Sequence, residues 1–323
     1  MAEENKKIKV AFLIGKFPAI SETFIINQIA DLQDRGMSVE IFSFDRGKTD
    51  NVSQRFFDYK MGEKTQYLDM PKNVVIRILK AIPKILRIFF IKPESLLKIF
   101  DFKKYGADAW NLKLLFFVEP FVGKEFDLVH CHFGKVANKY LTIREIVAPS
   151  QKFITTFYGY DVSIVFNQKP ADYYDRLKKE CSLFFVMSNN MKERIINHGF
   201  KSESIRVLPI SVDVADYPFK ERKLETGETI NLLTVARFVE KKGIDDLLRA
   251  IAIVKEKTRK KFRMNIVGGG QMEDELKGLA KELKIEDVTD FKGYMKVEDL
   301  IKYFLDMHLY VQPSKTSKDG DME

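Results

Sequence analysis

Two cations, Arg237 and Lys242, stand five residues apart in the run Val-Ala-Arg-Phe-Val-Glu-Lys-Lys-Gly. The apolar stretch over 230–236 just before them predicts a strand. In a parallel α/β sheet the ligand crevice lies beyond the carboxyl ends of the strands. Fixed positive charges at that place can flank a diphosphate, whose negative charge grows as its bond to a sugar breaks. They therefore stabilise the transition state more than the ground state. Spacing alone leaves open an ordinary solvated turn between strand and helix. Gly268-Gly269-Gly270 follows a predicted strand over 262–267 and opens a helix. Without a Cβ, such residues let backbone N–H groups approach phosphate or hydroxyl oxygens. Gly15-Lys16, after a predicted strand over 8–14, offers the same approach in the first half of the chain. It is not a P-loop, because no Ser or Thr follows the Gly-Lys pair. Asp319-Gly-Asp321 has the form of a paired-aspartate metal site. Two aspartates around a glycine also make a turn; the place at the end of the sequence favours the turn, and no metal is expected.

Positioning these residues requires parallel strands joined by helices. Residues 8–14 form a continuous apolar run, as in a strand buried on both faces. Ser21 can cap a following helix in which Phe24, Ile25, Ile29 and Leu32 recur at helical spacing. Gly36 ends that helix, and 39–44 reads as the next strand, completing a right-handed βαβ unit. From about 45 to 125 the pattern turns helical and irregular. It resumes with a strand from 127, a helix over 136–147, and strands over 152–157, 183–187 and 205–209, giving six strands. The expected organisation is therefore a first Rossmann-like domain over 1–210 with a helical basic insert over about 50–125. A linker over 211–229 contains Pro218 and Gly227. A second domain over 230–323 follows, with strands over 230–236, 262–267, 288–291 and 309–312. Helices are expected over 244–257, 272–283 and 297–305. Four strands are fewer than a doubly wound nucleotide domain usually has, so this domain reads as incomplete, its last strand left as an edge.

The 323 residues, 45% hydrophobic and 31% charged, suffice for two cores and exclude a disordered chain. Two cysteines, Cys131 and Cys181, exclude a disulfide framework and suggest buried thiols in a reducing compartment. No signal peptide is visible, and no apolar run approaches the roughly twenty residues of a membrane span. The expected location is the cytoplasm, either free or on the inner face of the membrane. The net charge of +8 is concentrated between Lys72 and Lys104, where nine cations and two anions give +7. Arg77, Lys80, Lys84 and Arg87 recur on one face of a predicted helix. Ile78, Ile82, Ile85 and Phe89 crowd the rest, and Pro83 is expected to kink it. Such a helix can rest its cations on an anionic membrane, or be a domain helix with a basic outer face. No nucleic-acid-binding motif is present, so nucleic acid is not an expected partner.

Read in order, Val-Ala-Arg237-Phe-Val-Glu-Lys-Lys242-Gly, Ile-Val-Gly-Gly-Gly270, Phe-Lys-Gly293-Tyr and Val-Gln-Pro-Ser314 through Asp-Met-Glu323 resemble the family 4 retaining glycosyltransferases. The opening Gly15-Lys-Phe-Pro-Ala-Ile-Ser-Glu-Thr-Phe is similar to the subgroup that builds exopolysaccharide such as colanic acid. His130-Cys-His132-Phe, Ser188 and Pro209-Ile-Ser-Val-Asp213 fall in the expected order. The resemblance spans essentially the whole chain. It implies the α/β GT-B fold, two Rossmann-like doubly wound domains facing a cleft, with the donor mostly on the second and the acceptor on the first. It also implies hexosyl transfer with retention from a nucleotide sugar to a saccharide or lipid-linked acceptor, without a metal or other cofactor. Donor contacts then fall to Arg237, Lys242, Gly269, Gly270, Gly293, Tyr294, Gly15 and Lys16. Catalytic roles fall to Arg237, Lys242 and Glu323, the last matching the first glutamate of the family's pair, near the donor sugar. The second glutamate would lie beyond Glu323, so the chain as it stands is expected to be weakly active or inactive. One departure stands in the first domain, where His-Gly-x-Asp is replaced by Tyr158-Gly159-Tyr160-Asp161. A tyrosine can hydrogen-bond a sugar but cannot act as an imidazole near neutral pH. Tyr158 and Asp161 are therefore sugar-contacting candidates without a proton-transfer role, and His132 faces either the cleft or the core. The alternative is a non-catalytic glycosyltransferase-like subunit binding saccharide or a partner enzyme; a nucleotide-sugar epimerase on the same fold is weaker.

Overall fold

The apolar run at the start of the chain becomes an interior strand of a sheet. The computed structural model describes residues 7–212 and 214–322. Its contacts divide the chain into a unit ending at Asp50 and resuming over Gln54–Ile210, and a second unit from Ser211 onward that takes in Asn51–Ser53.

The first unit carries seven strands: β1 (Lys9–Phe17), β2 (Ser38–Arg46), β3 (Thr65–Tyr67), β4 (Leu128–His132), β5 (Phe153–Thr156), β6 (Leu183–Val186) and β7 (Ile205–Val207). They are ordered β3-β2-β1-β4-β5-β6-β7, all parallel. Strand β1 pairs on both sides, Val10 opposite Val39 of β2 and Leu128 of β4. Phe12, Leu13 and Ile14 are wholly buried, which explains why this stretch is apolar throughout rather than alternating. The order reverses between β1 and β4, which sets a topological switch point there.

The sequence pattern predicts six strands in this unit; β3 is the seventh. Only three residues long, it pairs with β2 alone, Ile41 opposite Thr65. Thr-Gln-Tyr at a sheet edge shows no alternation for sequence reading to detect. Strand β1 also continues past Gly15 as far as Phe17.

The basic insert contains the helix Val74–Ile91, capped by the Asn73 side chain, which accepts the N–H groups of Val75 at 2.9 Å and Ile76 at 3.1 Å. The helix continues through Pro83. Its cations do not form the outward surface that their spacing suggests. Lys84 reaches the Glu119 carboxylate at 2.5 Å, and Arg87 reaches the same carboxylate at 2.6 Å and the Val122 carbonyl at 3.0 Å. Arg77 donates to the carbonyls of Pro71, Lys72 and Asn111 at 2.9, 3.1 and 3.2 Å. Of the four, Lys80 stays exposed. Glu119 is buried, and a buried carboxylate is tolerated only when charge and hydrogen bonds compensate it. That need draws the cations inward.

The second unit holds β8 (Ile230–Val235), β9 (Phe262–Val267), β10 (Thr289–Gly293) and β11 (Leu309–Tyr310), parallel and ordered β10-β9-β8-β11. The helices Ile244–Lys257 and Glu273–Glu282 close its core around Leu248, Ile251, Met264, Ile266 and Leu276. Strand β11 pairs only with β8 and leaves Leu309 and Tyr310 exposed. Both cysteines are buried and free; burial raises the Cys131 thiol and pushes that of Cys181 up to about 12. Among the described residues no helix is long and apolar enough to cross a membrane.

Candidate functional site

In the second unit the loops that leave β8 and β9 are joined backbone to backbone. The Phe238 N–H donates to the Gly269 carbonyl at 2.9 Å, and the Met272 N–H donates to the Phe238 carbonyl at 3.2 Å. The approach is so close that a Cβ on Gly268, where φ is +131°, would stand 1.9 Å from the Ala236 carbonyl oxygen. From β10, the Gly293 carbonyl accepts the Gly268 N–H at 2.9 Å, and the Tyr294 hydroxyl donates to the Gly269 carbonyl at 2.8 Å. Arg237, Gly269, Gly270, Gly293 and Tyr294, scattered over 58 residues of sequence, thus lie along one carboxyl edge of three adjacent strands. Ala236 and Phe238 are buried on either side of Arg237, which leaves that side chain exposed.

Lys242 is half-buried and ends the short 3-10 turn Glu240–Lys242. The next residue, Gly243, has φ +63°, and a Cβ there would meet the Pro313 carbonyl oxygen at 2.0 Å. The segment after β11 is therefore pressed against this turn. It is fastened by Lys315, whose N–H donates to the Lys241 carbonyl at 2.9 Å and whose ammonium reaches Asp245 and Asp246 at 2.6 and 2.8 Å. Lys241 is buried and pairs with Asp321 at 3.0 Å. Asp319 accepts the Ser317 hydroxyl at 2.5 Å and the Asp321 N–H at 3.1 Å. Asp319-Gly-Asp321 is thus a turn whose carboxylates are engaged within the unit. Sequence reading missed Lys241, Gly243 and Lys315. Of these, only the Gly after Lys-Lys carried a signal. Glu323 lies outside the described residues.

In the first unit, Gly15 and Lys16 lie near the carboxyl end of β1, beside the switch point. A Cβ on Gly15 would make ordinary contact with Val136, and Lys16 is exposed. His132 ends β4 and is fully buried, its ring stacked on Phe12 at 5.0 Å and tilted against His130 at 4.3 Å. Its Nδ1 lies 2.9 Å from the Tyr158 hydroxyl, and its Nε2 is buried without a hydrogen-bond partner. Burial holds His132 well below the usual imidazole range and lowers His130 to about 3, so both rings are neutral near pH 7. Of the two orientations open to His132, the structure shows the core.

Asp161 is also fully buried. Its carboxylate accepts the N–H groups of Gly134 at 3.0 Å and Tyr158 at 3.2 Å, with the Tyr174 hydroxyl at 3.4 Å. Burial pushes this carboxyl up to about 7, although the N–H donors favour its charged form. Tyr158 is nearly buried between the rings of Phe24 and Phe133. In this arrangement Tyr158 and Asp161 lock the turn after β5 to the start of the helix Gly134–Val147, rather than presenting polar atoms outward. The side chains that these turns do present are Lys135 and Tyr160, with the ammonium 3.1 Å from the phenol oxygen. Tyr160 had one sequence signal, the unassigned third position of Tyr-Gly-x-Asp, and Lys135 had none.

A family model described as "Glycosyl transferases group 1" matches residues 216–320. The amylovoran biosynthesis glycosyltransferase AmsK of Erwinia amylovora is 31% identical over 330 residues, covering 98% of this chain and 78% of that protein. WcaL of Escherichia coli strain K12, which carries the name of a colanic acid biosynthesis glycosyltransferase, is 30% identical with the same coverage. Among solved structures, HepE of Anabaena in complex with UDP covers 96% of this chain and 75% of its own at a TM-score of 0.61 and 14% identity. WaaG, a glycosyltransferase involved in lipopolysaccharide biosynthesis, gives 95%, 75%, 0.54 and 13%. At these identities the structural likeness bears on fold alone, and that fold is GT-B.

Proposed function

The chain belongs to the group 1 glycosyltransferases, and from that premise we propose that it moves a sugar from a nucleotide diphosphate to a lipid-linked saccharide. Transfer would proceed with retention, in the assembly of exopolysaccharide or another envelope glycan. The subject is supported by relatives named for colanic acid and amylovoran biosynthesis. The observation that carries the chemistry is the carboxyl edge of β8–β10, where an exposed guanidinium stands beside a backbone cradle without side chains.

In this reading Arg237 and Lys242 hold the donor diphosphate while Gly269 and Gly270 offer the close approach. Gly293 and Tyr294 lie toward the base. As the anomeric C–O bond breaks, its electron pair moves to the diphosphate, and the two cations stabilise that growing charge. No metal enters the proposal, and the nucleotide sugar is the substrate rather than a resident cofactor. The acceptor hydroxyl forms the new bond to the anomeric carbon and gives up its proton to the departing diphosphate oxygen, which has just gained that electron pair. Glu323 is proposed near the donor sugar on the strength of the family motif. On the first unit, Gly15 and Lys16 keep the donor role that the resemblance implies, and Lys135 and Tyr160 are the groups open to an acceptor, with Tyr158, Asp161 and His132 positioning the turns behind them. The reaction is proposed for the cytoplasm, at the inner face of the membrane.

The test is to incubate the protein with UDP- and GDP-hexoses and extracted lipid-linked saccharides. Nucleoside diphosphate release is followed, and the product anomer is assigned by NMR. The UDP complex of HepE makes uridine donors the first to try. Arg237→Ala is expected to lower kcat/KM by at least about 100-fold. A product of inverted configuration would contradict retention, and release that Arg237→Ala leaves unchanged would contradict the donor site.

A further inference from the structure

The helix Val74–Ile91 is apolar on both sides. Ala81 and Ile88 are buried against the first unit, and Arg77, Lys84 and Arg87 turn toward it. Val75, Ile78, Leu79, Ile82, Leu86 and Phe90 form the opposite stripe at helical spacing, and all are exposed, Leu79 to 62% and Phe90 to 80%. Single exposed apolar residues are ordinary; a stripe running the length of a helix about 27 Å long marks an interaction surface.

We propose that this outer stripe inserts into the interfacial layer of an anionic lipid bilayer. The orientation is the reverse of the one expected from the spacing of the cations: the apolar residues lead, and three of the four cations are engaged behind them. The charge around the stripe selects the occupant. Lys72 precedes the helix and Lys80 lies on its cationic flank; both are exposed, with no acidic partner for their ammonium groups among the described residues. The surrounding segment from Lys72 to Lys104 carries the +7 excess. A second copy of the chain would bring two such segments together, and like charges oppose that. A lipid surface of opposite charge is attracted instead, by about fivefold in binding for each cation near it. The stripe is also one helix wide and bears no hydrogen-bonding side chain, so it offers a folded partner nothing to set register. Fluid acyl chains need none. With no helix among the described residues able to cross a bilayer, the contact lies along the surface.

This inference does not depend on glycosyl transfer, and its test uses neither donor nor acceptor, so failure here leaves that reading untouched. The protein is floated with phosphatidylcholine vesicles, with and without phosphatidylglycerol. The wild type is expected to float with the anionic vesicles. Leu79→Ser/Leu86→Ser/Phe90→Ser is expected to reduce partitioning at least about tenfold, with an unchanged melting curve because all three positions are exposed. Lys72→Gln/Lys80→Gln, which leaves the stripe intact, should weaken binding to anionic vesicles by about tenfold or more and leave any binding to neutral ones unaltered. A wild type that ignores anionic vesicles, or a serine variant that floats as well as the wild type, overturns the proposal. So does a wild-type dimer that the serine variant converts to monomer while neither floats, since that assigns the stripe to a second copy.

Discussion

At Gly268 a single methyl group is enough to disturb the carboxyl edge of β8–β10. Its Cβ would stand 1.9 Å from the Ala236 carbonyl oxygen, at a φ that side chains rarely adopt. Gly268→Ala is therefore expected to destabilise the second unit by about 1–3 kcal/mol and to weaken nucleotide binding in proportion to the displaced loop. Urea unfolding and a UDP titration of the same variant check both effects. Asp161 gives a pH signature. Its carboxyl is raised from an ordinary value of 3.8 to about 7 by burial, so between those values the folded state holds a proton that the unfolded chain has released. Stability from this group is present below pH 3.8 and is lost as pH rises toward 7, by on the order of 4 kcal/mol. Asp161→Asn should flatten that part of the stability–pH curve; a curve of unchanged slope would show that Asp161 is not the group responsible. The close backbone approach at the glycine run and the placing of Arg237 at a strand end were legible, because both follow from local sequence. The burial of His132, Tyr158 and Asp161 was not. A residue at a strand end can face the crevice or the core, and the choice is made by packing partners such as Phe12, Phe24 and Tyr174.

Among the elements, the helix Val74–Ile91 owes its orientation to Glu119. Removing that carboxylate leaves Lys84 and Arg87 without their acidic partner at the edge of the core. Both cations are partly exposed, so water recovers some of the loss. Glu119→Ala is expected to cost about 1–3 kcal/mol, less than a fully buried pair. Chemical denaturation measures it, and a change within about 0.5 kcal/mol would mean that apolar packing alone holds the helix. The helix itself was legible from periodicity, and so was the excess of charge. Its direction was not, because isoleucines and cations alternate around it and the deciding acid lies 32 residues beyond Arg87. Strand β3 was missed for another reason: three residues at an edge carry too little pattern to separate from loop.

At the scale of the whole chain, the repeated alternation of apolar runs and amphipathic helices made two Rossmann-like units legible. The parallel order of both sheets agrees with that alternation. The order of motifs from Gly15 to Ser314 made the family legible, because many weak signals in sequence are jointly specific. The donor sugar and acceptor were not, since no local pattern in the sequence sets them. The central claim is that the carboxyl edge of β8–β10 binds a nucleoside diphosphate through Arg237. The most direct measurement is a calorimetric titration of the whole chain with UDP and with GDP, repeated with Arg237→Ala. Saturable binding of one of them, weakened at least about tenfold in a variant that melts like the wild type, is the predicted result. Binding that survives Arg237→Ala unchanged, or no binding of either nucleotide, would contradict it.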